Sequence, residues 1–240
     1  MIENKTIIVT GASQGLGKEL SIKLAGLGAK VALVSRNEQL LTDVKNEINN
    51  KGGEAEVFAC DITVLDQVKN TVSKVLEKFG GIDILVNDAG IWTTDEFEET
   101  RPELIERAFK VNTIGHIYFT KSVLPVMKKV NKGHIFNVIS RAGLDLEENK
   151  DWATYAASKW AMNGYTRALR YALVETKIKV TALYPGGFES NIFETLGVDK
   201  NEAHNQPWMM KTADVADAVI YALDKPDNLS IDSIVINPVL

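Results

Sequence analysis

Tyr155 and Lys159 stand four residues apart in the run Tyr155-Ala156-Ala157-Ser158-Lys159. On a helix, positions at that spacing share a face. A tyrosine phenol titrates near pH ~10, too high to serve well as a base at neutral pH. A cation held beside it favours the phenolate and lowers that value. Tyr155 so placed could give a proton to a carbonyl oxygen or take one from an alcohol. The small side chains of Ala156 and Ala157 leave room for a cofactor against the same face. A lone pair of this kind carries little weight, and two neighbours raise it. Ser140 follows the apolar run Ile135-Phe136-Asn137-Val138-Ile139. That places its hydroxyl at the carboxyl end of a strand, where it can hydrogen-bond a reacting oxygen. Asn112 lies in Lys110-Val111-Asn112-Thr113, inside what reads as a long helix. Asn is a poor helix former, so a packing or functional reason is expected there. Taken singly, Ser140 and Asn112 also have ordinary structural explanations.

A second group of residues supplies the partner for that proton chemistry. The first strand runs into Thr10-Gly11-Ala12-Ser13-Gln14-Gly15-Leu16-Gly17. Glycines in such a turn let a pyrophosphate approach the backbone, and the next helix aims its N-terminal N–H groups at the charge. The spacing is GxxxGxG rather than GxGxxG, and the plain alternative is a turn that only joins strand to helix. About 20 residues on, where an acid would hold the ribose 2′-hydroxyl of NAD, stand Ser35-Arg36-Asn37. No carboxylate occupies Ser35 or Arg36, and an arginine can pair with a 2′-phosphate in a bidentate way. The expected cofactor is therefore NADP(H) in preference to NAD(H). Glu38 partly offsets the arginine, and the uncharged Gln14 adds no second cation. With such a cofactor, proton transfer at Tyr155 would accompany hydride transfer to or from the nicotinamide.

The elements that must position these residues alternate. Strands are expected over residues 6–10, 30–34, 56–59, 82–87, 133–139, 179–183 and 233–237. Helices are expected over 16–27, 38–51, 65–78, 103–130, 154–175 and 213–223. Alternation of this kind signals an α/β fold with a parallel sheet covered on both faces. The expectation is a Rossmann-type, doubly wound, three-layer domain of about seven strands. Residues 1–240 read as one domain. The least regular stretches, 91–102, 141–151 and 189–212, should sit at the carboxyl ends of the strands, where such folds bind ligands.

Composition bounds the alternatives. The chain has 240 residues, 45% of them apolar and 25% charged, an ordinary balance for a buried core and a polar surface. A net charge of −5 argues against nucleic acid, which demands a basic face. No apolar run approaches the ~20 residues of a membrane helix. Met1 to Lys5 is polar and a strand pattern follows at once, so no secretory signal is expected and the location is expected to be cytoplasmic. Cys60 is the only cysteine. His116, His134 and His204 lack ligand spacing to one another, and no metal site is expected.

Together these motifs resemble the short-chain dehydrogenase/reductase family over about residues 5–238. The match covers the glycine turn 10–17, Asp61-Ile62, Asn87-Asp88-Ala89-Gly90, the set Asn112, Ser140, Tyr155 and Lys159, and Pro185-Gly186. The resemblance implies that Tyr155 is the general acid/base, and that Lys159 lowers its pKa and holds the nicotinamide ribose. Ser140 would orient the substrate oxygen, and Asn112 would hold a water of a proton relay. It implies a cofactor site built from Gly11, Ser13, Gln14, Gly15, Leu16, Gly17, Ser35, Arg36, Asp61, Ile62, Asn87, Ala89, Gly90, Pro185, Gly186, Phe188 and Ser190. Asp61 and Ile62 would sit beside the adenine, and Pro185-Gly186 beside the nicotinamide.

Three departures stand out. Asp88 replaces the second Asn of the family's Asn-Asn-Ala-Gly motif, and a buried Asp must be paired or protonated. Ser190 stands where many members carry Thr. The segment between Ser140 and Tyr155 is longer than common and acidic, with Asp145, Glu147, Glu148 and Asp151. The substrate mouth should draw on Ile91, Trp92, Leu144, Trp152, Phe188, Phe193, Trp208 and Met209, under a lid over about 189–212, which suits a partly apolar carbonyl or alcohol. The expected activity is interconversion of a carbonyl and a secondary alcohol. One alternative is a 3-oxoacyl-carrier-protein reductase, with Lys128, Lys129 and Lys132 as a docking cluster, disfavoured by the acidic segment. Another is a cofactor-binding sensor without catalysis, disfavoured by the complete set of four. The broad apolar faces of the helices over 103–130 and 154–175 suggest a homodimer or homotetramer.

Overall fold

A computed structural model describes residues 2–93, 97–145, 152–190 and 208–239. The central sheet has seven strands: β1 (Thr6–Thr10), β2 (Lys30–Ser35), β3 (Glu54–Ala59), β4 (Ile84–Asn87), β5 (Gly133–Val138), β6 (Ile178–Pro185) and β7 (Ser233–Ile236). Every pairing is parallel, in the order β3-β2-β1-β4-β5-β6-β7. Among the described residues seven α-helices connect them: α1 (Gly15–Gly26), α2 (Glu38–Asn50), α3 (Leu65–Phe79), α4 (Pro102–Phe109), α5 (His116–Val130), α6 (Ala153–Ala172) and α7 (Thr212–Leu223).

The sheet is buried on both faces because successive strand side chains point to opposite sides. Ile7 and Val9 of β1 pack with Leu20 and Leu24 of α1, Leu41 of α2 and Val219 of α7. Ile8, between them in sequence, packs with Val72 of α3 and Phe119 and Val123 of α5. All of these except Val72 are fully excluded from solvent, and each such side chain contributes about 1.5–3 kcal/mol. Strand order proceeds outward from β1 to β3, and the chain then returns to β4 beside β1. That reversal opens a crevice at the carboxyl ends of β1 and β4, where the glycine turn and the Asn87–Gly90 run both emerge.

The expected single helix over 103–130 is three pieces. Between α4 and α5 the backbone widens into a π-helical turn, Lys110–Gly115. Such turns favour functional positions, and the cause here is visible. Asn112 donates from Nδ2 to the Ile91 carbonyl (3.0 Å) and to Ser158 Oγ (3.0 Å), and its Oδ1 accepts from Ile91 N–H (2.8 Å). Thr113 Oγ1 donates to the Ser158 carbonyl at 2.8 Å. The turn thereby fastens the loop after β4 to α6. Asn131, in a left-handed conformation at φ 48°, closes α5. Among the described residues, no helix is long and apolar enough to cross a membrane.

Candidate active site

The crevice is a cleft of about 360 Å³. Its floor is the turn between β1 and α1. Gly11 has φ 75°, and a Cβ there would lie 3.0 Å from the Ala89 α-carbon. A Cβ on Gly17 would lie 2.5 Å from the Gly11 carbonyl oxygen. Only bare α-carbons let these two backbone stretches meet. Gln14 precedes α1 without a side-chain cap to the helix, so the N–H groups of Gly15 and Leu16 at its start can meet an anion. Ser35, Arg36 and Asn37 line the far wall, and Asn37 caps α2 by accepting from Leu40 N–H at 3.1 Å. An open cleft with glycine at its floor, an uncapped helix start and an arginine on its wall fits an elongated anionic ligand such as a dinucleotide.

The loop after β4 forms the opposite wall. Thr10 Oγ1 accepts from the N–H groups of Asp88 (3.0 Å) and Ala89 (3.2 Å), tying this loop to β1. Asp88 turns its carboxylate under the glycine turn: Oδ2 lies 2.9 Å from the Cβ position of Gly17 and accepts a hydrogen bond from the Gly17 N–H. Burial pushes Asp88 up to about 7, against the lowering effects of the Lys159 ammonium and the Gly17 N–H. His116 is fully buried beneath the same loop, with Nε2 2.7 Å from the Ala89 carbonyl oxygen, and burial then Lys159 push it down to about 3. It is neutral at physiological pH.

At one end of the cleft lies the acid/base corner. Ser140 Oγ accepts from Ala142 N–H at 3.2 Å and so caps the short 3₁₀ turn Arg141–Gly143. That turn presses on α6, because a Cβ on Gly143 would come within 2.7 Å of the Lys159 carbonyl oxygen. Asn163 of α6 donates from Nδ2 to the Gly143 carbonyl (2.7 Å) and accepts on Oδ1 from the Tyr184 hydroxyl of β6 (2.9 Å). This clamp holds Ser140 beside Tyr155, whose hydroxyl shares a hydrogen bond with it. Lys159 Nζ sits 5.6 Å from the Tyr155 ring centre. Both Lys159 Nζ (3.8 Å) and Asn112 Oδ1 (3.6 Å) flank the Cβ position of Gly90.

The corner is closed. Tyr155 and Lys159 are each 4% exposed, and Trp92 is 9% exposed. The Trp92 ring centre lies 4.2 Å from that of Tyr155, and Trp152 meets Trp92 edge-on at 4.7 Å. Lys159 was expected to lower the Tyr155 pKa. Instead burial dominates and pushes it up to about 12, with the Ser140 hydrogen bond the only opposing effect. Burial also pulls Lys159 down to about 8, Asp88 opposing. Removing phenol and ammonium from water together penalises the charged form of each.

Most of the expected cofactor residues line the cleft: Gly11, Ser13, Gln14, Gly15, Leu16, Ser35, Arg36, Asp61, Ile62, Ala89, Gly90, Phe188 and Ser190. Gly17 lies behind this wall. Asn87 does not reach the cleft. It is fully buried, and its Nδ2 donates to Asn137 Oδ1 (2.8 Å) and Thr120 Oγ1 (3.3 Å) inside the sheet. Tyr155 and Lys159 sit beyond the cleft's end; Pro185 ends β6, and Gly186 follows it and donates its N–H to the Ile236 carbonyl (2.8 Å). Asn37, Leu40, Cys60 and Val111 line the cleft without having been expected to; Ile91, expected at the substrate mouth, and Asp88, noted within the Asn87–Gly90 run, line it too. Asn37 carried a readable signal, an N-cap residue at the end of β2; Leu40, Cys60 and Val111 carried none. Of the substrate-mouth residues, Trp92 and Trp152 meet at Tyr155, Phe188 lies on the cleft, and Leu144 packs with Ile139 and Met162. Phe193 and His204 fall outside the described residues, as do most of the lid and Glu147, Glu148 and Asp151. The lid's ends are described: Phe188 bridges Met210, and Glu189 N–H donates to the Met210 carbonyl at 3.0 Å.

Residues 5–201 match the family model described as short chain dehydrogenase. An uncharacterised oxidoreductase of Staphylococcus epidermidis is 33% identical over 238 residues, covering 99% of both chains. Among solved structures, a metagenomic short-chain oxidoreductase in complex with NADP is 29% identical, with TM-score 0.85 over 100% of this chain and 99% of the other. The actinorhodin polyketide ketoreductase with NADPH is 28% identical, with TM-score 0.88 over 98% and 96%. With the parallel seven-stranded sheet and the glycine turn at its crevice, these likenesses establish that the chain is an oxidoreductase and belongs to the short-chain dehydrogenase family.

Proposed function

We propose that the chain is an NADP(H)-dependent oxidoreductase that interconverts a carbonyl and a secondary alcohol, with Tyr155 as general acid/base. The observation that carries this reading is the corner itself. Tyr155, Ser140 and Lys159 converge at the end of a cleft with a glycine floor, and Trp92 and Trp152 wall them from water. A bound nicotinamide supplies or accepts the hydride. Ser140 donates a hydrogen bond to the substrate oxygen, and Tyr155 gives that oxygen a proton or takes one from it. Lys159 holds positive charge beside the phenol, which favours the phenolate once the corner is occupied. Asn112, locked by three hydrogen bonds, keeps a second lone pair on Oδ1 for a relay water.

Arg36 on the cleft wall, with no acid at Ser35, supports NADP(H) over NAD(H), as does the likeness to proteins bound to NADP and NADPH. An exposed stripe on α6, with Ala157, Trp160, Ala161 and Gly164, supports a homo-oligomer, since Trp160 remains 43% exposed in the single chain. The test follows loss of reduced-nicotinamide absorbance with NADPH and NADH against ketones, aldehydes and 3-oxoacyl thioesters. The expected result is turnover that prefers NADPH and a best substrate among the ketones. A thioester optimum selects the 3-oxoacyl reductase, which the polyketide ketoreductase likeness favours. Arg36→Leu should cut the NADPH:NADH ratio of kcat/KM by roughly tenfold or more, the worth of one charged hydrogen bond. An unchanged ratio defeats the assignment of the 2′-phosphate to Arg36.

A further inference from the structure

We propose that Asp88 couples cofactor binding to protonation: ionised, it caps α1 from below, and it takes up a proton when an anionic dinucleotide seats on the glycine turn. The inference rests on the cofactor reading above and goes beyond it, because it assigns a proton-binding role to a residue outside the set of four.

The geometry begins at the start of α1. Gln14 gives that helix no side-chain cap. The missing acceptor comes from the loop after β4, since Asp88 accepts from the N–H of Gly17, the third residue of α1. A carboxylate there complements the positive pole of the helix. A pyrophosphate on the glycine turn would draw on the same pole from the other side. Two anions then compete for one helix end at short range, since the half-buried Asp88 lines the same cleft. Oδ2 of Asp88 and the carbonyl oxygen of Gly11 already lie 2.9 and 2.5 Å from the same point, the Cβ position of Gly17. Asp88 Oδ2 is thus packed against the start of the helix, and of these two oxygens only the carboxylate can take up a proton.

The charges around Asp88 set the sign. From α6 comes Lys159, among the described residues the one cation that holds the carboxylate ionised against burial. From the start of α5 comes His116, which is neutral and bonded to the Ala89 carbonyl. The π-helical turn contributes the uncharged Asn112, and the β1–α1 turn contributes only Gly11, Gly17 and the Thr10 hydroxyl. Across the cleft stand Arg36 and Asp61, of opposite sign. Burial outweighs both the Lys159 ammonium and the Gly17 N–H and raises the carboxyl to about 7. Added negative charge on the glycine turn raises its proton affinity further. Asn at this position would keep the cap to Gly17 N–H and lose the titration.

The experiment titrates the protein with NADPH by calorimetry at roughly pH 7.5, in two buffers of different ionisation enthalpy, and records the infrared difference spectrum of binding. Wild type should take up a substantial fraction of a proton and gain a carboxylic-acid C=O band. Asp88→Asn should lose that band. By linkage, a proton taken up on binding weakens affinity as pH rises. The wild-type Kd should therefore increase by up to about tenfold per pH unit above pH ~7, and the variant's Kd should change far less across the same range. Binding heat that is independent of buffer, with no acid band in wild type, overturns this inference alone. Absence of any NADPH binding defeats the cofactor reading and this inference with it. If Asp88→Asn fails to fold, wild-type binding heat that is independent of buffer still overturns the inference.

Discussion

The cofactor-facing cleft and the Tyr155 corner adjoin, yet they are built by opposite means. The cleft is open, and its specificity lies in backbone: glycine α-carbons, the first N–H groups of α1, and a wall carrying Arg36. The corner is closed and built of side chains, with Trp92 stacked against Tyr155 and Ser140 held by a clamp from α6. A backbone site works only if the turn is already formed, so it must be rigid. A side-chain site can be reshaped by what enters it, and its acid/base behaviour is governed by how much water it admits. Burial alone lifts Tyr155 to about 12, so its chemistry awaits the ligands that change that environment. Removal of the phenol is the sharpest test of the division. Tyr155→Phe should lower kcat/KM by about 10²- to 10⁴-fold, the usual share of general acid–base catalysis. NADPH affinity should stay within about twofold by fluorescence titration, since the cleft binds without the phenol. A parallel loss of NADPH binding would show that the two regions are one.

The complementary break lies on the cleft side. Gly17→Ala would place its methyl 2.5 Å from the Gly11 carbonyl oxygen and 2.9 Å from Asp88 Oδ2. The obstacle is backbone, so the turn must move, at a cost of about 1–3 kcal/mol. Gly26→Ala, at the other end of α1, meets nothing within 4 Å. It should be neutral or stabilising by up to about 1 kcal/mol. Urea unfolding of both variants measures the contrast, and NADPH titration should show a loss only in Gly17→Ala. Equal stability of the two would mean that the turn tolerates a Cβ and is not held by close approach.

The sequence revealed the cleft better than the corner, for a physical reason. A glycine turn, a strand end without an acid and alternating apolar runs are local patterns, and β1 occupies the residues expected of it, Thr6–Thr10. The break in the 103–130 helix was legible only as an Asn in an unfavourable place, because the π-helical turn is fixed by Ile91 and Ser158, 21 and 46 residues away. Asn87 read as a cleft residue, yet its amide turns into the sheet toward Asn137, a partner 50 residues on. The aromatic wall over Tyr155 joins Trp92 and Trp152 across 60 positions, and no periodicity announces it. Burial raises Tyr155 in the unliganded chain, an effect that its spacing to Lys159 does not reveal.

The smallest expected effect sums titrations from both sides of the sheet, and its sign can be worked out. His116 beneath the cleft and His134 at the start of β5, 2.7 Å from Thr181 Oγ1, are both pushed by burial down to about 3. A histidine depressed in the folded state gives stability that is present above pH ~6.5 and lost as pH falls toward the folded value. Asp88 has the opposite sign. Raised to about 7, it gives stability present below the unfolded value near pH ~4 and lost as pH rises through the folded one. Over roughly pH 6 to 5, unfolding then binds two protons at the histidines and releases one at Asp88. The net is one proton, so stability should fall by about 1.4 kcal/mol per pH unit on acidification. Asp88→Asn removes the opposing share, and its slope should double to about 2.7 kcal/mol per unit. Urea midpoints at several pH values give both slopes. Identical slopes would mean that Asp88 keeps its ordinary carboxylate pKa in the folded chain, which would place it, like Arg36, among the solvated groups of the open cleft.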